Sequence, residues 1–574
     1  MRFSFRTGFA AAVAGLLAVS CVYVNSSLGE SFIADNQLYD LYTVEFPIED
    51  IRMEMADSLS SYSLYKFTIG AVRDETFGLT TRSAAFTLVP VSDTLDYGKP
   101  GTQVFRGFHL SAVSDSTSYD DFSQQFILQN VNVYELDKAL DYTKVAPAVS
   151  YTKKRITDGI PVYNGKDSLS IDFSKEFGEK YLDITPEDLD TIANYVKKFP
   201  GIILTVDPPT GNGGRINMFK LPLSVSNGYI YGSTAELKFT AEYEGRGQID
   251  TSFLFYLGPT EIYDLSGVTA TSATTYPQIA YDITTHESKG LAGKAGKNIY
   301  LEGGKGLKPV IKAAGIREQV LDEILKHTED PSSVVVSKAS IELPFEFPDN
   351  YLKICQYPIM VSATCRIATD TSVTYAGISD ASASDENQGS IDRSRCRYAP
   401  DISHHVQEIL KLEDLEKIEN YDIWLLAMAT ETIFKGSSSS SSSSSDYLDM
   451  MNYMSYYNSM YNGYGYGGYG GYGGYGGYGY GSYYNNYYNY YMMQAMYASS
   501  SSESESLETT MQMMDFHRFY RAVLNGPENS GRIPKFRITY AVPKPGNNEL
   551  EMKKSGWLES HPDFISVDSD ITSG

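Results

Sequence analysis

The stretch LKFTAEY, residues 237–243, decides the fold class: Leu237, Phe239, Ala241 and Tyr243 fall on one side of an extended chain, and Lys238, Thr240 and Glu242 on the other. One apolar and one polar side at period two is the pattern of a half-buried antiparallel strand. Downstream, FLFYL at 253–257 is apolar on both sides and is expected to be a central strand. Strand-like runs at 41–46, 84–90, 359–367, 423–430 and 536–541 are separated by turn residues. Two segments change to a helical period. Over 183–199, Thr185 is placed as an N-cap, Pro186 takes the first helical position, and Leu189, Ile192 and Val196 share a face. A second helix is expected over 307–326 with Ile311, Ile316, Val320 and Ile324 apolar, although Pro309 and Gly315 can break its first part. The expected fold is mainly β, with antiparallel β-sandwich domains, a few covering helices and a long low-complexity loop insertion.

The 574 residues allow three or four domains and ample core. The segments read from the sequence are 1–20 (signal), 21–30 (tether), 31–230, 231–345 and 346–574, the last interrupted by an insertion at 436–510. Lys and Arg number 47 against 71 acidic residues, a net charge of −24 that excludes the basic footprint of a nucleic-acid binder. Cys355, Cys365 and Cys396, with Cys21, are too few for a disulfide framework.

The N-terminus sets the expected compartment. Arg2 and Arg6 precede an uncharged run, 7–19, which ends in small residues before Cys21, the layout of a bacterial lipoprotein signal. The run is shorter than the ~20 apolar residues that span a bilayer, so cleavage and acylation at Cys21 account for it. Loss of Arg2 and Arg6 takes the net charge to −26 and disfavours electrostatic docking on anionic lipid, leaving the lipid chains as the membrane partner.

Further motifs come after Cys21: Leu28-Gly29, Asp57-Ser58, then Gly70, Asp74, Phe77 and Gly78. PPTGNGGRINMF at 208–219, SIELPF at 340–345 and RAVLNGPENSGRIPKFRITY at 521–540 complete the series. Together they resemble large outer-membrane lipoproteins of Bacteroidota catalogued as a domain of unknown function. The resemblance implies a β-rich, envelope-associated protein located at the outer membrane, lipid-anchored and at the cell surface, with the periplasmic face as the other possibility. It brings no catalytic residues.

Motifs that suggest chemistry have plainer readings. GLAGKAGKN, 290–298, places five residues rather than four between Gly290 and Gly296 and has Asn298 where a phosphate loop needs Ser or Thr, so a loop is expected. GNGG, 211–214, lies between strand-like runs and reads as a hairpin turn. Asp401, His404, His405 and Glu408 are metal-type ligands, but a helix running to about Ile418, capped by Asp401 or Ser403 with Val406, Ile409 and Leu410 inward, explains them without a metal. Asp385, Asn387 and Asp392 depart from the calcium-loop order and read as a solvated acidic loop. No G-x-S-x-G, no H-E-x-x-H and no cysteine beside a histidine occurs. The expectation is a non-enzymatic chain without cofactor or bound metal.

The most unusual segment comes after IWLLAMATETIF: nine serines from Ser437, then nineteen tyrosines between Tyr447 and Tyr497 among Gly, Asn and Met. No charge or proline interrupts 450–502. Such a tract lacks the aliphatic surface for a core, and its glycines raise the entropy of ordering, so it is expected to be disordered. Tyr with Gly, Ser and Asn is also the chemistry of recognition loops. Tyr464, Tyr466, Tyr469, Tyr472, Tyr475, Tyr478 and Tyr480 are therefore the candidate partner-binding residues. Because β-type runs flank the tract, it should leave and re-enter one domain at neighbouring strands. The expected role is a binding or scaffold subunit of an envelope complex with outer-membrane protein partners, by family analogy an accessory of outer-membrane protein or surface-lipoprotein assembly. The competing expectation is a surface glycan-binding lipoprotein that stacks sugars on tyrosines.

Overall fold

A computed structural model of the chain describes residues 39–544 apart from 57, 93, 120–121, 142–143, 145, 265–268, 273–278, 369–372, 379, 381–388 and 435–507. The signal, Cys21, the tether, the tyrosine tract, Asp385 and Asn387 lie outside the described residues. The fold is mainly β, with antiparallel sheets and few helices. Two compact units are present, Met1–Val44 with Leu321–Ser337 and Thr539–Gly574, and Glu45–Val320 with Lys338–Ile538. In the smaller, Tyr42 stacks on His327 at a ring separation of 3.9 Å and on Tyr540 at 5.5 Å.

The larger unit is organised by one strand, Val104–Tyr119. Up to Ala112 it is flanked by Thr234–Tyr243 and Leu169–Asp172; from Val113 its partner is Gly213–Lys220. The change of partners lets a thirteen-stranded sheet supply both layers of one core. Phe108, in the first half of the strand, has its ring 4.8 Å from Phe173, 5.0 Å from Tyr181 and 5.4 Å from Phe255. The short helix Lys175–Lys180, capped by Ser174, delivers Phe177 and Tyr181 to that cluster. Strand Thr234–Tyr243 follows the alternation read from its sequence, with Leu237, Phe239 and Ala241 buried while Lys238 and Glu242 are exposed. A second sheet of seven strands is built around Leu307–Ile311, Ile423–Phe434 and Met360–Ala368.

Several expectations change. Segments 31–230 and 231–345 share one sheet, because strand pairing here joins residues far apart in sequence. The run 183–199 is two helices, Pro186–Leu189 and Ile192–Lys198: Thr185 and Asp188 form a capping box, and Thr191 starts a new cap on Asn194 N. Helix 307–326 begins only at Ala313, and Leu307–Ile311 is a fully buried strand. Proline is tolerated there because pairing with Ile423–Phe434 covers only Val310 and Ile311, so nothing on that side needs an N–H from Pro309. The 253–257 run belongs to Gly247–Tyr256, next to the sheet edge, where only Phe255 and Tyr256 have strand partners on both sides.

GNGG is not a hairpin turn. Ile202–Val206 and Gly213–Lys220 are separated in the sheet by two other strands. Its glycines serve a close approach instead: Gly214 has φ 104, and a Cβ there would lie 2.1 Å from the Ala71 carbonyl oxygen. Gly214→Ala is expected to lower the unfolding free energy by roughly 1–3 kcal/mol, measured by urea titration.

Candidate functional site

The larger unit contains a layer of buried charge that no local motif announced. Strand Lys66–Asp74 is buried along nearly its whole length; Phe67 and Ile69 belong to the aromatic core, and Val72 meets Ile216 and Phe519. Its Lys66 end reaches the second sheet at Glu431, and its Asp74 end reaches Arg521 in a separate two-stranded pair, Asn298–Glu302 with Arg521–Asn525. Lys66 Nζ donates to Glu431 Oε2 at 2.7 Å and Asp115 Oδ2 at 3.1 Å, and Arg518 Nε donates to Glu431 Oε1 at 2.9 Å. At the other end, Asp74 accepts the Thr76 and Phe77 N–H groups and lies 3.8 Å from Arg521 Nη1, whose guanidinium stacks on Phe77 and Phe519. Asp74, Phe77 and Arg521 belong to two sequence motifs, DETFG and RAVLNG, which thus meet in one contact.

Between these ends, Glu302 accepts from Ser288 Oγ at 2.5 Å and Leu307 N at 3.2 Å, with Arg521 Nη2 at 3.4 Å. Lys305 donates to Asp282, which also accepts from Ser60 Oγ and Ser61 N. Lys308 donates to the carbonyls of Glu302 and Gly304, and Arg82 to those of His517 and Arg518. Asp515 closes the layer by accepting the Gly304, His517 and Arg518 N–H groups.

The electrostatics follow from burial. Burial alone would raise the Glu302 carboxyl, but the His286 ring 3.5 Å away, the Arg521 guanidinium and the Ser288 hydroxyl outweigh it and hold it at about 2. Lys308 is pushed down to about 8, chiefly by burial. Burial, reinforced by Lys66, Arg518 and Arg82, drives His517 well below its ordinary range, so it is a neutral ring at physiological pH. Neither His517 nitrogen makes a hydrogen bond among the described residues, and Glu431 Oε1 lies 3.4 Å from Nε2. Opposite charges spent on one another and on backbone carbonyls tie the large sheet to the second sheet and to the pair Asn298–Glu302 and Arg521–Asn525.

The predicted metal-type residues are placed separately. His404 and His405 lie in helix Ser403–Lys411, shorter than expected, with Val406 and Ile409 buried. Neither Asp401 nor Ser403 caps it: Asp380 accepts the His404 and His405 N–H groups, while Asp401 accepts from Ser403 N and Oγ. His405 Nε2 is bonded to the Tyr421 carbonyl at 2.8 Å. Asp392 accepts from Ser394 and Arg395 N–H in a local turn. Within 290–298, the chain runs into strand Asn298–Glu302 rather than a helix, so no helix N-terminus is offered to a phosphate. Cys355, Cys365 and Cys396 are free thiols.

One constellation that sequence reading missed is exposed. His109 Nδ1 lies 2.7 Å from Asp172 Oδ1, and Ser170 Oγ lies 3.5 Å from His109 Nε2, the order of a hydrolytic triad. These residues sit on paired strands whose backbone groups serve the ladder, with Asp172 opposite His109 and Glu236 opposite it on the other side. Backbone N–H groups committed to a ladder do not converge on an oxyanion. The signal was legible only as the S-x-D of 170–172; the histidine is brought in by strand pairing.

The root of the tyrosine tract is described. Strands Ile423–Phe434 and Glu508–Met514 pair antiparallel from Met428↔Met514 to Phe434↔Glu508, so the tract leaves and returns at the end of one hairpin. Comparison of the chain with protein-family models, with curated proteins and with solved structures finds no match in any of the three.

Glu431→Ala leaves Lys66 and Arg518 short of a buried partner and is expected to cost roughly 3–5 kcal/mol in urea unfolding. A pH dependence follows from His405, whose ring burial lowers to about 4. Between the usual histidine range and that value the unfolded chain binds a proton that the folded chain refuses. Stability is therefore full above about pH 6.5 and falls by up to about 3 kcal/mol toward pH 4. Unfolding free energies measured across this range should show a slope shallower by about one proton in His405→Gln.

Proposed function

We propose that this chain is a lipid-anchored binding or scaffold subunit of a bacterial envelope complex, held at the outer membrane through Cys21, with its tyrosine tract as the partner-contacting element. The observation that carries the reading is the pairing of Phe434 with Glu508. A tract whose two ends emerge side by side can be long without disturbing the fold, since each doubling of a loop costs only about 0.6 kcal/mol. The rigid root supports it: Glu431 lies just before the tip on the outgoing strand, and Asp515 and Arg518 just after the returning one, all three tied into the buried charge layer. A charge-free, tyrosine-dense segment on such a root has the chemistry of an adaptable contact surface. The envelope reading rests on the layout of residues 2–21 and on the motifs between Leu28 and Tyr540.

Tested on the full chain with its signal, detergent-solubilised membranes should yield co-purifying membrane proteins. Cys21→Ser should move the protein out of the membrane fraction, and replacing 437–504 by a short Gly/Ser linker should leave the melting temperature nearly unchanged while depleting the partners. Retention of Cys21→Ser in carbonate-washed membranes refutes the anchor. Undiminished partner recovery after the excision refutes the role of the tract.

A second reading, glycan binding, is favoured by a separate observation on the described surface.

A further inference from the structure

We propose that the hairpin Leu223–Ser226/Tyr229–Tyr231 is a binding site for a neutral oligosaccharide, with Tyr229 and Tyr231 as its stacking platform. This deepens the glycan reading and is independent of the anchor and of the tract.

The turn is Asn227-Gly228, with φ 52 and 78, the pair of positive values that a two-residue hairpin of this twist requires. It sets Ser226 opposite Tyr229 and Ser224 opposite Tyr231. Alternation then divides the hairpin: Ile230 packs against the aromatic core, while Tyr229 and Tyr231 are 69% and 53% exposed. Leu223 is buried in the aromatic core, which fixes the hairpin to the unit, and Gly232 closes the hairpin so tightly that a Cβ there would lie 2.6 Å from the Leu223 side chain. The two tyrosines are thus attached about 7 Å apart on one side of a strand. Neither ring makes a ring contact, and neither hydroxyl a hydrogen bond, within the described residues.

Three features select the occupant. First, no charged residue occurs from Leu221 to Ala235, LPLSVSNGYIYGSTA, in a chain whose net charge is −24. A hairpin without charge complements a neutral ligand and penalises an anionic one all the more because the adjoining strand carries Glu261 and Asp264. Second, the chemistry alternates. Two aromatic faces suit the C–H face of a pyranose, which carries partial positive charge toward the negative ring face. The Ser224 and Ser226 hydroxyls on the paired strand can donate to or accept from sugar hydroxyls. Third, the size is right. The hairpin belongs to a four-stranded sheet with Glu261–Asp264 and Thr269–Ser272, whose strands are only three or four residues long. Such a face covers on the order of 200 Å², against about 800 Å² per partner in a stable protein interface. That area accommodates two or three sugar rings.

The test uses the full chain in detergent, titrated calorimetrically with cellohexaose, maltohexaose and mannohexaose. At least one is expected to bind, with Tyr229→Ala and Tyr231→Ala each weakening it about tenfold and the double variant abolishing it. Tyr229→Phe with Tyr231→Phe keeps both rings and should retain most of the affinity. Excision of 437–504 should leave binding unchanged, and the tyrosine variants should leave recovery of membrane partners unchanged, which separates this site from the scaffold role. The proposal is overturned if the unaltered protein binds none of the three sugars. It also falls if the double alanine variant still binds, if the phenylalanine variant loses as much as alanine, or if excision of the tract abolishes binding.

Discussion

The Lys66–Glu431 ion pair is the contact on which the larger unit most depends. Glu431 is 1% exposed, and it faces Lys66, Arg518 and the neutral His517 at once. A carboxylate so placed is stable only while its cations remain, so removing Lys66 and Arg518 would strand its charge away from water, and removing Glu431 leaves Lys66 with Asp115 alone. Apolar packing alone would let one sheet slide on the other, because hydrophobic contact is not directional. Hydrogen-bonded charges have one geometry. The same logic runs through Lys305 with Asp282 and through Arg521 between Asp74 and Glu302, where the large sheet is held to the separate two-stranded pair Asn298–Glu302 and Arg521–Asn525.

This layer explains which parts of the fold were legible in the sequence. Strands announce themselves through neighbours two residues apart, and Thr234–Tyr243, Met360–Ala368 and Lys535–Pro543 lie where alternation or apolar runs placed them. The layer's members are separated by 365 positions for Lys66 and Glu431 and by 435 for Arg82 and the His517 carbonyl, and no local pattern carries pairings of that span. Leu307–Ile311 failed for a related reason. Its apolar positions fit a helical face as well as a buried strand, and Lys308 is buried with its ammonium donating to the Glu302 and Gly304 carbonyls. The 401–408 cluster was legible as a helix start, but its cap is Asp380, more than twenty residues upstream. The His109–Asp172 contact was equally hidden, since strand pairing alone makes it.

The two tyrosine-bearing segments proposed as contact sites differ in the physical work each would do. On Tyr229–Tyr231 the backbone is fixed by a two-residue turn and by Ile230 against the core, so the proposed ligand would meet a strand already ordered by folding. In the proposed role of the 447–497 tract, where glycines between Gly463 and Gly481 separate the tyrosines, a partner would supply the ordering free energy itself. The first arrangement suits a small ligand with little contact area to spare. The second suits a large surface that can be wrapped.

The position of the insertion follows from the same energetics. Closing a loop of some seventy residues costs roughly 4 kcal/mol in chain entropy, and the returning strand has to recover it locally or the hairpin frays. Glu508–Met514 contributes one ladder with Ile423–Phe434, which by itself is the marginal pairing of an isolated two-stranded ribbon. Immediately after that strand, the segment Asp515 to Arg521 uses its side chains and carbonyls to bind Gly304, Arg82, Glu431 and Thr80. The returning chain is thus fastened by the buried charge layer within a few residues of the ribbon. An insertion between strands without such a latch would open the sheet, whereas here it loads a hairpin that is held at its base by buried, hydrogen-bonded charge.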